Sequence, residues 1–236
     1  RDRSVSRGLG DVYKRQDFSA MPRVVEEGRR VINNIQRAAA LYLVKNIMSV
    51  FLALITLIAG FPYPFVPIQL TLISALTIGI PSFVLALEPN HELVRGRFMH
   101  NVLRRALPGG LTNIVLIVGL ELFTYAFTFQ RATLSTLSTV TIGAVGLLVI
   151  YYVARPLDKK RWALLGAMTV AMVVAVVWFG PFFELTALDL QSALVVTVFL
   201  LLTPSVIYAF ETAFEWGSRI KGKLLKRRKQ RIQTDQ

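Results

Sequence analysis

The sequence predicts an all-α protein, a polytopic bundle of about six membrane-spanning helices with a cytoplasmic stalk helix. Of its 236 residues, 54% are hydrophobic and only 17% are charged, which is too apolar for a soluble domain of this length. The apolar residues form runs of about 20, the length that crosses the hydrocarbon core of a bilayer. Basic residues occupy the short segments between these runs, which is typical of membrane topology signals and not of nucleic-acid binding.

Six apolar runs are bounded by charged residues or by proline and glycine. Each is predicted to be a helix, because a backbone in lipid must satisfy its N–H and C=O groups internally. The runs occupy residues 38–60, 66–87, 110–129, 137–154, 162–179 and 191–210. The chain contains no Cys and only two His, so it has no disulfide framework or thiolate metal site, and an imidazole metal site is not expected.

The distribution of basic residues predicts the orientation. If the spans alternate in direction, all of the 27 Lys and Arg except Arg131 and Lys45 lie on one side of the membrane. Basic connections stay in the cytoplasm. We therefore expect a multi-pass protein of the bacterial plasma membrane with both termini in the cytoplasm.

Four regions are predicted along the chain. Residues 1–16 lack a signal-peptide pattern and are expected to be a disordered or foreign leader. Residues 17–37 form the stalk helix, which continues into the first span, and residues 38–212 form the six-helix transmembrane domain. Residues 213–236 form a basic cytoplasmic tail, either a clamp on anionic lipid or an ordinary topology signal.

Two ionisable side chains fall inside the predicted spans. Glu121 lies near the middle of the third span, where a charge is costly, so it is expected to face protein or water or to be protonated. Lys45 lies about a third of the way into the first span, where its long stem can reach the interface. A Lys45–Glu121 pair is an alternative that requires the first and third spans to be neighbours.

The region from the stalk through the second span resembles the fifth and sixth membrane helices of bacterial P-type cation-transporting ATPases, and among these the calcium-transporting group. The similar segments are EEGRRVINNIQR and PIQLTLISALTIGIPSFVLALEPN. The residues that match the family's motifs are Gly28, Arg29, Asn33, Asn34, Pro67, Gln69, Leu70, Gly79, Pro81, Glu88 and Pro89.

This resemblance implies that the chain is the ion-pathway half of a cation pump for a divalent ion such as calcium. The family's phosphorylation motif DKTGT and its nucleotide-binding motifs do not occur in this sequence. We therefore expect no cofactor in this segment, and ATP and Mg²⁺ in a full-length parent that would be the P-type ATPase translocase. The expected partners are membrane lipid, the transported cation, and the N-terminal and catalytic domains of the same pump.

The resemblance also implies a set of candidate metal ligands, with departures from the family pattern. Asn46, Ser74 and Thr77 match ligand positions of the calcium pumps, whereas Ile78 and Ser49 stand where the family has Asp and Glu. Divalent cations prefer carboxylate oxygens, so Glu121 joins the candidates as the one carboxylate deep in a predicted span. These polar side chains could instead form interhelical hydrogen bonds.

Gly79 and Pro81 are placed to break the second span and to free carbonyl groups for an ion, because proline removes a helical donor. A plain proline kink is the alternative. A self-contained six-span channel or secondary transporter is the competing function, but no TVGYG-like filter, arginine-rich helix or inverted repeat occurs. A non-transporting scaffold would leave Glu121 and the Gly79–Pro81 break without a purpose.

Overall fold

The structure is a computed structural model that describes residues 21–89, 93 and 96–234, with side chains as far as residue 218. The expected leader, residues 1–16, lies outside the described residues, as do the basic side chains of the tail from residue 219 onward. The described part of the chain contains helices and no strand.

Six helices are long and apolar enough to cross a membrane, which confirms the predicted fold class. We number them α1 to α6 in chain order: Met21–Ala59, Pro67–Ala86, Phe98–Phe127, Arg131–Val153, Lys159–Val177 and Leu190–Thr234. Helices α3 and α4 are the most buried and form the centre of the bundle. The chain is therefore a multi-pass membrane protein.

Several helices extend beyond their apolar runs. The helix α1 continues without a break from Met21 to Ala59. Residues 17–20, the first part of the expected stalk, lie outside the described residues. The helix α3 begins at Phe98, twelve residues before the predicted span that starts at residue 110. An apolar run marks only the part of a helix that lies in lipid, whereas the backbone hydrogen bonds continue through the polar turns outside it.

The helix α2 is regular at both ends and widened in the middle. Between Pro67–Ser74 and Ile80–Ala86, residues Ala75–Gly79 form a π-helical turn, in which the N–H of Ile80 donates to the carbonyl of Ala75. Pro81 has no N–H, which removes a bond to the preceding turn. The expected break at Gly79 and Pro81 therefore takes the form of a local widening without unwinding.

Two glycines of α3 allow α1 to approach it closely. A Cβ atom added at Gly110 would lie 2.7 Å from Cγ2 of Ile47, and one at Gly109 would lie 3.4 Å from Cγ2 of Val44. Small residues at a contact let two membrane helices pack backbone against side chain, which gains dispersion energy where no hydrophobic effect operates.

A cluster of polar side chains joins the helices at one end of the bundle. Glu88, just past the end of α2, accepts hydrogen bonds from Arg161 Nε at 2.8 Å and from Arg37 Nη1 at 3.5 Å. Asn34 donates to the main-chain carbonyls of Ala86 and Glu88, each at 2.9 Å, and so satisfies the end of α2. We call Asn34, Arg37, Glu88 and Arg161 the Glu88 cluster, and the end of the bundle where it lies the basic end.

Arg161 extends the Glu88 cluster to the connection between α4 and α5. Its Nη1 atom donates to the carbonyl of Ala154 at 3.0 Å and also to the carbonyl of Pro156. The side chains of Arg37 and Arg161 are 3% and 7% exposed, and the carboxylate of Glu88 places a negative charge beside both. Glu88 thus joins the end of α2 to α1 and α5, and Arg161 adds the end of α4.

We predict that Glu88→Ala strongly destabilises the bundle. Removing one partner of a buried ion pair leaves uncompensated charge and costs about 3–5 kcal/mol. Thermal unfolding in detergent should therefore begin at a clearly lower temperature.

The matched control is Glu215→Ala. Glu215 forms an ion pair with Arg104 in which the two side chains are 47% and 56% exposed, so its loss should cost no more than about 1 kcal/mol. Equal shifts in the two variants would contradict the assigned role of Glu88.

Candidate cation site

A small cavity lies between α1, α2, α3 and α4, beside the π-helical turn. Its volume is about 20 Å³, enough for one water molecule. Most of its lining is aliphatic. Four side chains bring polar atoms to it, and we name it the lysine cavity after the charged one: Lys45, Ser74, Thr77 and Asn113.

The ammonium group of Lys45 is bound inside the protein. Its Nζ atom donates to Oγ of Ser74 at 2.6 Å, and the Ser74 hydroxyl in turn donates to the carbonyl of Leu70 at 2.5 Å. Both side chains are partly buried. The chain Lys45–Ser74–Leu70 therefore links α1 to α2 immediately before the π-helical turn.

Thr77 lies within the π-helical turn and packs against α4. Its hydroxyl donates to the carbonyl of Ile73 at 2.7 Å, which leaves the oxygen's lone pairs available. A Cβ atom added at Gly146 would lie only 2.5 Å from Cγ2 of Thr77. The absence of a side chain at Gly146 therefore makes room for the widened part of α2.

Asn113 contributes an amide from α3 that the sequence analysis missed. The side chain is 2% exposed, and among the described residues its Oδ1 atom has no hydrogen-bond partner. A buried polar atom without a partner is costly unless water or an ion binds it. The signal that could have found it was a polar amide inside the third predicted span, whereas Glu121 was noticed because it is ionisable.

The other candidate ligands do not converge on the lysine cavity. Asn46 is exposed on the outer surface of α1 and is absent from the cavity lining. The Ser49 side chain hydrogen-bonds to Tyr63 in the α1–α2 connection. Burial raises the pKa of the Tyr63 hydroxyl above its usual value, and this bond opposes the rise.

Glu121 is paired with Arg131, which corrects the suggested pairing with Lys45. The Nη1 atom of Arg131 lies 3.0 Å from each carboxylate oxygen of Glu121. Glu121 is six residues before the end of α3 at Phe127, about 9 Å at the helical rise, and Arg131 is the first residue of α4. The pair forms because the α3–α4 connection is short, a feature that the span-by-span analysis did not consider.

Gln69 organises a second polar cluster, near the end of the bundle opposite the basic end. Its Oε1 atom accepts hydrogen bonds from Ser135 at 2.5 Å and from Thr139 at 3.2 Å, both on α4. Its Nε2 atom donates to the carbonyl of Glu184, in the α5–α6 connection, at 3.1 Å. The side chain is fully buried, so this residue fixes the start of α2.

The electrostatics of the lysine cavity are unusual for a divalent cation site. Within the described part of the chain, no three His, Cys, Asp or Glu side chains come together in a way that could hold a metal ion. The cavity offers neutral oxygens and one ammonium group. A divalent cation there would need further oxygen ligands and would be repelled by Lys45.

Curated relatives of this chain are bacterial cation pumps. The chain is 35% identical over 191 residues to the calcium-transporting ATPase CtpE of Mycolicibacterium smegmatis, a match that covers 72% of this chain and 24% of the relative. It is 38% identical over 176 residues to CtpE of Mycobacterium bovis, with 66% and 22% covered. No protein-family model matches the chain.

A third relative has a broader name. The probable cation-transporting ATPase exp7 of Streptococcus pneumoniae is 31% identical over 185 residues, which cover 75% of this chain and 22% of the relative. The chain is homologous to bacterial P-type cation-transporting ATPases. It spans less than a quarter of the length of the relatives that it matches.

We predict that Gly146→Ala destabilises the protein, because the added methyl group would displace Thr77 and the π-helical turn. Inserting a methyl group into a packed core costs about 1–3 kcal/mol. Thermal unfolding in detergent measures the effect.

Gly166→Ala in α5 is the matched control, since a Cβ atom there meets nothing within 4 Å. It should leave stability unchanged or raise it, because alanine favours a helix by up to about 1 kcal/mol over glycine. A neutral Gly146→Ala would show that α2 does not pack on this glycine.

Proposed function

We propose that this chain is the membrane-embedded ion-pathway part of an ATP-driven calcium pump. The observation that carries the proposal is its similarity to calcium-transporting ATPases over 72% of its length. In this proposal the remaining three quarters of the protein bind ATP and Mg²⁺ and supply the phosphorylated aspartate. A self-contained channel or secondary transporter is not favoured, because each named relative is an ATPase.

The lysine cavity is the proposed ion-binding region. It lies beside the widened part of α2 and contains Ser74, Thr77 and Asn113. Because Pro81 cannot donate a backbone hydrogen bond, we expect a main-chain carbonyl of this turn to be a further ligand. Calcium takes six to eight oxygen ligands. This chain supplies part of such a set, and we propose that other helices of the pump complete it.

The surface beside the lysine cavity supports the proposal that other helices of the pump supply the remaining ligands. Asn46 is exposed in the middle of α1, and the neighbouring Lys45 and Ser74 are only partly buried. Polar side chains in a membrane span face protein or water and avoid lipid. We propose that helices from the rest of the pump cover this face and bring carboxylates to it, with Asn46 as an additional ligand.

In this proposal Lys45 is a resident positive charge that occupies the site when calcium is absent. Its ammonium group donates to Ser74, a candidate ligand oxygen. Calcium and the lysine would then compete for the same oxygens, so the ammonium must move away when the cation binds. We further propose that the basic end is cytoplasmic, since positive connections remain inside.

The proposed activity is tested with the whole gene product that contains this chain, reconstituted in liposomes. We expect ATP-driven uptake of radioactive calcium and an acid-stable phosphoenzyme. The chain by itself should show neither, because it contains no DKTGT motif. Calcium flux through the isolated chain without ATP would instead establish the channel function.

We predict that Lys45→Gln lowers the calcium concentration needed for half-maximal uptake by about tenfold, because it removes a positive charge that repels the divalent ion. Lys45→Arg keeps the charge and is the matched control, with little change expected. If both substitutions have the same effect, the charge of Lys45 does not oppose calcium binding.

A further inference from the structure

A second, larger cavity opens at the basic end of the bundle. Its volume is about 420 Å³, and α1, α3, α4 and α6 form its walls. Its lining is largely polar and charged and includes Gln36, Arg104 and Glu211. We call it the vestibule. Its composition suits water, in contrast to the aliphatic lining of the lysine cavity.

The vestibule and the lysine cavity share one wall. Val149 of α4 lines both cavities, Gly109 of α3 lines the vestibule, and Val44 of α1 lines the lysine cavity. A Cβ atom added at Gly109 would lie 2.5 Å from Cγ2 of Val149 and 3.4 Å from Cγ2 of Val44. The two valine side chains therefore pack against the backbone of Gly109 and separate the cavities.

The sequence of α3 at this wall favours bending of the helix. Pro108, which lines the vestibule, cannot donate a helical hydrogen bond to the carbonyl of Arg104, four residues earlier. Gly109 and Gly110 follow directly, and each costs a helix up to about 1 kcal/mol relative to alanine. This stretch of α3, which has low helix propensity, thus lies beside the barrier between the cavities.

On both sides of the wall, a buried polar atom lacks a hydrogen-bond partner that water could supply. In the described part of the chain, Nε2 of Gln36 on the vestibule side has no hydrogen-bond partner, and Gln36 is 3% exposed. Oδ1 of Asn113, on the side of the lysine cavity, also has no hydrogen-bond partner among the described residues. Water satisfies such groups where polar partners and enough room are present. The vestibule has both, and the mostly aliphatic lysine cavity brings four polar side chains to a volume that holds one water molecule.

We propose that the vestibule and the lysine cavity form one water-access route from the basic end of the bundle to Lys45, and that Val149 packed against Gly109 is its gate. In the arrangement described here the gate is closed. Bending of α3 at Pro108 would move Gly109 away from Val149 and connect the cavities. The route rests on the proposed transport function for its purpose, since it would hydrate the ion-binding region from one side of the membrane.

Cysteine accessibility tests the gate in the whole gene product. A cysteine is introduced at Asn113, and the parent protein without it provides the background. A small, membrane-impermeant methanethiosulfonate is added separately from each side of sealed vesicles. We expect labelling of Asn113→Cys only from the side of the basic end, and more slowly than labelling of Gln36→Cys in the vestibule.

Opening and blocking variants distinguish a gate from general loosening. Val149→Ala should accelerate labelling of Asn113→Cys about tenfold, since it removes two methyl groups from the closed contact. It should leave Gln36→Cys unchanged. Val153→Ala, on the same helix and lining only the vestibule, is the matched control and should accelerate neither. Gly109→Ala should slow labelling of Asn113→Cys, because its methyl group wedges the wall.

Equal acceleration by Val149→Ala and Val153→Ala would overturn the gate, as would labelling of Asn113→Cys only from the opposite side. The opposite directions expected for Val149→Ala and Gly109→Ala keep the test decisive if one variant folds poorly. Labelling reports access directly. Failure of the route is therefore distinguishable from failure of the proposed function, which is measured by calcium uptake.

Discussion

The carboxylate of Glu88 holds the basic end of the bundle together. Two arginines that are almost inaccessible to solvent, one on α1 and one at the start of α5, both bind this carboxylate. Without it, these two buried guanidinium groups would lose a neighbouring negative charge in a region of low dielectric. Asn34 completes the arrangement by binding the last carbonyls of α2. The position of α2 along the bundle follows from these bonds.

Gln69 fixes the other end of α2 by bonds to α4 and to the α5–α6 connection. Both ends of the helix are thus held by buried polar side chains, while its middle is widened into a π-helical turn. A helix with fixed ends and a deformable centre can change its local geometry without displacing the bundle. The motif residues Asn34, Gln69 and Glu88 have structural roles at the ends, whereas Ser74 and Thr77 face the lysine cavity.

The interior of the bundle carries one ammonium group and no cluster of carboxylates among the described residues. Glu121 does not compensate Lys45, because Arg131 takes both of its oxygens. An interior of this kind binds a divalent cation only with negative charge from elsewhere, which agrees with a chain that covers under a quarter of its relatives. Because water solvates an ammonium group, the charge of Lys45 also favours hydration of the lysine cavity.

By itself, the sequence determined the number of spans, their approximate positions and the resemblance to cation pumps. These features depend on local hydropathy and on short motifs, because bilayer thickness imposes the length of each span. The sequence did not determine which way each helix faces. Successive residues of a helix point about 100° apart, so Lys45 can enter a cavity while Asn46 faces outward.

Only the tertiary structure decided the rotation and depth of each helix, through contacts made by residues far apart in the chain. Gly109, Gly110 and Gly146 accept side chains from neighbouring helices, and these close approaches select the faces that meet. Asn113 therefore reached the lysine cavity, whereas Glu121 met Arg131 across the short α3–α4 connection. The physical reason is that apolar composition specifies burial in lipid, whereas the partner of each polar group depends on packing between helices.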